Sequence, residues 1–217
     1  MAEGHVEVNG EIVTQMGARV DPVADVIRVD GRRVPPRTDH VYLLINKPRG
    51  VVTSMADERG RPDLRSLLAD RPERLFHVGR LDTDTSGLLI VTNDGDLAHR
   101  LAHPSFEVTK TYVALVEGDV PDTLAARLRA GIDLDDGPAQ VDRFRVIDRS
   151  RGRSLVELEL HIGRNRIVRR ILDQAGHPVV ELTRTAFGRL RLGDLSVGTT
   201  RELSRDELGA LFDTVEQ

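Results

Sequence analysis

Cysteine is absent from this 217-residue chain, so disulfides, thiolate metal sites and cysteine nucleophiles are excluded together. Lysine is nearly as scarce: only Lys47 and Lys110 occur among 31 basic residues, the rest being arginine. Against that background the two lysines either mark places where a compact ammonium serves better than a planar fork, or stand there by chance. No apolar run approaches the ~18 residues a membrane helix needs, and no basic-then-apolar leader opens the chain, so a soluble cytoplasmic protein is expected. Gly-x-Gly-x-x-Gly, the P-loop and Gly-x-Ser-x-Gly are all missing, which leaves nucleotide-cofactor and serine-hydrolase chemistry without support. His99 and His103 have the spacing of a zinc helix, but Arg100 stands where a metalloprotease base belongs, and no metal is expected.

The formal net charge of −4 argues against a polyanionic ligand, but its distribution does not. From His161 to Arg191 seven arginines (Arg164, Arg166, Arg169, Arg170, Arg184, Arg189 and Arg191) meet only Asp173 and Glu181. Acidic residues gather elsewhere, notably at Asp133, Asp135, Asp136 and Asp142. Two solvated faces of opposite sign would give this pattern, and so would a cationic groove for nucleic acid.

Leu75-Phe76-His77-Val78 and Leu88-Leu89-Ile90-Val91 are buried-strand patterns, and between them lies Gly79-Arg80-Leu81-Asp82-Thr83-Asp84-Thr85-Ser86-Gly87. Asp82 is thus a carboxylate in a polar loop anchored at both ends, suited to an active-site acid, although such clusters also serve as plain turns. Asp82 and Asp84 are too close in one loop to make a glycosidase pair, whose carboxylates stand ~5 Å or more apart.

Strand patterns recur at 51–54, 75–79, 87–92, 111–117, 140–148, 154–162, 179–186 and 189–192, and helical patterns at 63–69, 95–103, 121–130, 165–175 and 204–213. Asp94, Asp122 and Ser204 are helix-capping candidates, and Ser204-Arg-Asp-Glu207 has the form of a capping box. Strands outnumber helices without alternating with them, so the fold class expected is α+β with a largely antiparallel sheet. Before it, residues 5–34 read as short strands and turns, and Pro35–Asp39 as a linker. This short piece, residues 1–37 with the linker, is expected to be loosely tethered to a catalytic domain over 38–217 or partly disordered, because so few residues bury little core.

The Asp82 loop, Val108-Thr-Lys-Thr-Tyr112 and Gly163-Arg-Asn-Arg-Ile-Val-Arg-Arg170, in this order, resemble the motifs of the RsuA/RluB-type pseudouridine synthases, which isomerise uridines of ribosomal RNA. The resemblance runs from about Val41 to Leu203. It implies a pseudouridine synthase fold with the active cleft along a central mixed sheet, no cofactor, and a partner that is ribosomal RNA, either 23S rRNA or a pre-50S particle, met by a monomer. Residues 1–37 resemble the second half of an S4-type RNA-binding domain whose helical first half is not in this sequence. A non-catalytic rRNA-binding or assembly factor on the same scaffold is the alternative.

Three catalytic residues follow from the resemblance. Asp82 would either attack the sugar carbon or remove the ribose 2′ proton. Arg169 would pair with Asp82 and keep it ionised, with Arg170 taking that role if the register is one residue off. Tyr112 would stack on the flipped uracil and help move the C5 proton, unless it is a core tyrosine. Arg80, Lys110, Arg164, Arg166, Arg170 and Arg189 are the RNA-binding candidates, Arg80 and Lys110 toward phosphates. Ile162 stands where the family often has an acid and Arg166-Ile167 where it often has His-Gln, departures that bear on target choice.

Overall fold

The computed structural model describes residues 5–15, 17–21, 24–35 and 40–215. At the amino end, β1 (Val6–Val8), β2 (Glu11–Ile12), β3 (Ile27–Val29) and β4 (Arg32–Val34) form an antiparallel sheet in the order β2-β1-β3-β4. Apart from Pro35, the expected linker lies outside the described residues.

The rest of the chain builds one large sheet and its covering helices. In chain order these are β5 (Tyr42–Lys47), β6 (Phe76–Val78), β7 (Ser86–Thr92), α1 (Gly95–Ala102), β8 (Lys110–Glu117) and α2 (Leu124–Ala130). A small hairpin follows, β9 (Ile132–Leu134) with β10 (Gly137–Ala139), then β11 (Arg143–Ser150), β12 (Arg153–Leu160) and α3 (Ile167–Gln174). The chain closes with β13 (Val179–Phe187), β14 (Leu190–Arg191), β15 (Thr200–Glu202) and α4 (Arg205–Val215). The nine-stranded sheet runs β11-β12-β8-β13-β7-β5-β15, with β14 beside β13 and β6 beside β7. The α+β class and mixed sheet agree with expectation.

The continuous apolar runs of β5 and β7 are explained by burial on both faces. Alternate residues diverge: Tyr42, Leu44, Leu88 and Ile90 join a core under α1 and α4, while Leu43, Ile45, Leu89 and Val91 join one formed with Val51, Leu64, Leu68, Leu75 and Leu81. The third core lies under α2 and α3, where Ile167, Val168, Ile171 and Leu172 make one helix face against Val156, Leu158, Leu160 and Leu182 of the sheet.

The two halves of the sheet meet along a very short seam. The pairing of β7 with β13 is parallel and covers only Ser86↔Thr183 and Gly87↔Arg184, while the other strand pairs of this sheet are antiparallel. Gly87 has φ +108°, and a Cβ there would stand 2.3 Å from the Arg184 carbonyl oxygen and 2.7 Å from its nitrogen. No other residue lets the strands come so close. Side chains reinforce the seam: Ser86 Oγ and Thr183 Oγ1 are 2.9 Å apart, and Arg184 Nε donates to Leu88 O at 2.8 Å.

Several local expectations are corrected. Residues 51–54 form no strand; Val52 makes only an isolated bridge to Asp63, and the helix expected at 63–69 is a single 3₁₀ turn, Leu64–Leu67, capped by Asp63. Asp94 caps α1 and Ser204 with Glu207 closes the capping box of α4, but Asp122 bonds Arg149 instead of capping α2. The amino-terminal sheet is not loosely held. Its Arg28 makes a bidentate pair with Asp213 of α4, and Arg33, buried, lies over the Phe212 ring at 5.2 Å. Gly209 admits β4 to α4, since a Cβ there would lie 2.3 Å from Arg33 O.

Gly87→Ala is expected to cost about 3 kcal/mol, combining an unfavourable backbone conformation with a backbone clash. A urea midpoint equal to that of the unsubstituted protein would contradict the close seam.

Candidate active site

The loop before β7 is fixed by bonds that reach it from both sides. Thr85 N–H donates to Asp82 O at 3.0 Å and closes a turn; Gly50 N–H donates to Thr83 O at 2.7 Å; Thr53 Oγ1 donates to Leu81 O at 2.7 Å and accepts from Leu81 N at 3.2 Å. Beneath it, Lys47 is fully buried, its Nζ donating to Pro48 O at 2.9 Å and Val51 O at 2.7 Å. Burial pulls the Lys47 ammonium down to about 8, against the opposing pull of Asp82 and Asp84.

The two carboxylates of this loop are treated differently. Asp84 is clamped: Arg166 bonds both its oxygens, at 3.0 and 2.8 Å, and Arg169 Nε lies 3.3 Å from Oδ2 while its Nη2 donates to Asp84 O at 2.8 Å. The Arg166 bonds hold the Asp84 carboxyl below the usual range, with Arg169 assisting. Asp82 keeps its carboxylate one-third exposed, with the Arg166 guanidinium 3.8 Å away. The expected pairing of Arg169 with Asp82 is therefore corrected: Arg169 grips Asp84 and Val179 O, and the nearest guanidinium to Asp82 is that of Arg166. Arg166 reaches both acids because it precedes α3 in a left-handed conformation, φ +47°, although the helical pattern of 165–175 included it.

Asp82 borders a cleft of about 470 Å³ lined by Arg80, Thr85, Lys110, Tyr112, Ile162, Arg164, Arg166, Leu182, Arg184 and Phe187, among others. Tyr112, half-buried, faces it from β8. Of the residues expected from sequence, Asp82, Tyr112, Arg80, Lys110, Arg164 and Arg166 come together here, whereas Arg169, Arg170 and Arg189 do not line the cleft. Arg80 and Arg189 are exposed. Arg164 and Arg170 both hold Asp136, at 2.9 and 2.5 Å, so the acidic β9–β10 turn is folded against the basic segment, and the cationic groove is partly neutralised.

Arg184, Thr85 and Phe187 were not singled out from sequence. The available signal was a charged residue at an alternate position of β13 two residues after the buried Leu182; Arg184 is 3% exposed. The Thr85 hydroxyl and Arg184 Nη2 are buried without hydrogen-bond partners, both in residues that line the cleft.

Residues 41–174 match the family profile described as RNA pseudouridylate synthase. An RNA pseudouridine synthase of Mycobacterium bovis is 53% identical over 218 residues, covering 99% of this chain and 86% of that protein. The ribosomal large subunit pseudouridine synthase B of Bacillus subtilis is 41% identical over 211 residues, covering 96% and 86%. A crystal structure of a pseudouridylate synthase is similar with a TM-score of 0.71 at 29% identity, covering 97% of this chain and 90% of that one.

Burial also lowers Lys110 to about 8, with Arg184 adding to the effect. Both lysines therefore bind a proton less tightly when folded than at their ordinary value of 10.5. Between these values the unfolded chain binds more protons, so stability from these groups rises with pH across that window. Urea midpoints at pH 7.5 and 9.5 should show the rise, and Lys47→Met should reduce it; an undiminished rise in that variant would separate Lys47 from the effect.

Proposed function

We propose, from the premise that this chain belongs to the RNA pseudouridylate synthase family, that it converts a uridine of ribosomal RNA, in 23S rRNA or a pre-50S particle, to pseudouridine with Asp82 as the reacting carboxylate. The name of the Bacillus relative supports the large-subunit target, as do the RsuA/RluB-type motifs. The observation that carries the reading is the contrast between two neighbouring acids: Asp84 is consumed by Arg166 and Arg169, while Asp82 stays open to a cleft large enough for a flipped base.

The reaction breaks the ribose C1′–N1 bond and makes a C1′–C5 bond, with no net redox change. Asp82 acts on the sugar, at C1′ or at the 2′ proton, and either route needs it ionised. The Arg166 guanidinium stands 3.8 Å from the reacting carboxylate. Arg169 is a positioning residue: through Asp84 it fixes the loop that aims Asp82. Tyr112 supplies a stacking face for the extruded uracil. Arg80 and Arg189 contact phosphates, Arg164 and Arg170 shape the wall built on Asp136, and the sheet within residues 1–37 serves as an S4-like RNA contact beside the catalytic domain of 38–217. The protein acts as a cytoplasmic monomer, and no helix of the described residues is long and apolar enough to cross a membrane.

Asp82→Asn should lower pseudouridine formation about 10³-fold with rRNA affinity retained. Chemical detection of pseudouridine at the target, alongside a binding titration, checks this, and retained turnover would remove Asp82 from the reaction. Arg189→Ala should instead weaken affinity and reduce the salt slope by about one while leaving the single-turnover rate intact. A rate loss at unchanged affinity would reverse that assignment.

A further inference from the structure

The floor of the cleft carries positive charge that the chain does not neutralise. Arg184 is almost fully buried, its Nε spent on Leu88 O and its Nη2 unpartnered. Lys110 Nζ donates to His161 O at 3.0 Å. Among the described residues neither cation has a carboxylate within ion-pair distance, and each acts on the other by repulsion. Both lie over one ring, that of Phe187, at 5.8 Å for Lys110 and 5.3 Å for Arg184. Holding two like charges together, one buried and one part-buried, is costly unless a bound group supplies the opposite sign.

A β-bulge creates this arrangement. The register of β13 on β8 slips between Arg184 and Ala186, so that Arg184 stands opposite Tyr112 and Phe187 opposite Lys110. On a regular strand, residues three apart point to opposite faces. The extra residue, Thr185, brings Arg184 and Phe187 to the same face, and the four side chains make a two-by-two patch in the cleft.

Breaking the C1′–N1 bond sends its electron pair to N1 and leaves the base as an anion, delocalised onto its two carbonyl oxygens. That charge lasts until C5 bonds C1′, after which the C5 proton departs and N1 gains one. We propose that Lys110 and Arg184 hold the detached uracil as its anion while it turns between glycosidic bonds, with Phe187 and Tyr112 as the apolar surface beneath it. This rests on the isomerisation and on the cleft assigned above. An RNA phosphate fits the patch less well, because it keeps its water and counterions at the surface whereas these cations share the floor with Leu182 and two aromatic rings.

The test compares Lys110→Met and Lys110→Arg with the unsubstituted protein on transcribed, unmodified 23S rRNA, reading single-turnover rate at saturating protein, Kd, and the slope of log Kd against log salt. Lys110→Met should lower the rate about 10²-fold with Kd and salt slope unchanged, as for loss of a preorganised charge at a developing anion, and Lys110→Arg should recover most of the rate. An unchanged rate in Lys110→Met overturns the proposal. So does a weaker Kd with a slope reduced by about one, the signature of a phosphate contact. If Lys110→Met fails to fold by its urea midpoint, Lys110→Gln makes the same comparison. Absence of product from the unsubstituted protein overturns the earlier reading and this one with it, and it is told apart because no substitution is involved.

Discussion

Two strands touching over two residues decide where the chemistry of this molecule can lie. Ser86 and Gly87 meet Thr183 and Arg184 in parallel, and only a residue without a Cβ lets the β7 backbone approach the Arg184 carbonyl so closely. The Asp82 loop enters that seam from one half of the sheet, and the residues that floor the cleft, Arg184, Phe187, Tyr112 and Lys110, come from the other. A wider seam would separate the carboxylate from the patch and remove the bond by which Arg184 reaches Leu88 O. The core beneath β5 and β7 supports this contact, since each fully buried aliphatic side chain there contributes about 1.5–3 kcal/mol.

Charge is divided as sharply as the sheet. The arginines around α3 are turned largely onto the chain's own acids, Arg166 and Arg169 onto Asp84, Arg164 and Arg170 onto Asp136. That internal pairing gives the basic segment the task of shaping the cleft walls, and it leaves Arg80 and Arg189 exposed beside them. It also separates two acids only two residues apart. Asp84 holds the loop to α3, and Asp82, relieved of that structural task, faces the cleft.

Much of the fold was legible along the chain because its periodicities are local. The continuous apolar runs of β5 and β7, the one-sided apolar face of α3 and the capping box at Ser204 each need only neighbours in sequence to be recognised. The three-residue strands β9, β10 and β15 exist only through their partners and left no pattern. Val51–Ser54 had strand composition without a partner strand, and became an isolated bridge. The tight hold on the amino-terminal sheet depended on Gly209, a glycine within a helix that by itself reads as a weak spot and is in fact the gap through which β4 reaches α4.

For the site, the sequence by itself determined which groups were candidates: the loop-borne Asp82 and Asp84 between two strands, a tyrosine after a lysine, and no thiol. These follow from residue type and from motif order. Tertiary structure alone decided their partners. Arg169 was expected on Asp82 and lies on Asp84, because Arg166 leaves the helix in a left-handed conformation and the Asp82–Thr85 turn presents Asp84 to it. Arg184 stands in the basic window of the sequence without a site role, because a charge at one alternate position of a strand carries no address until its neighbours are known. The Thr185 bulge and the Gly87 seam supply that address, and both are properties of strands that are distant in the chain, Arg184 meeting Tyr112 on one side and Gly87 on the other only in the fold.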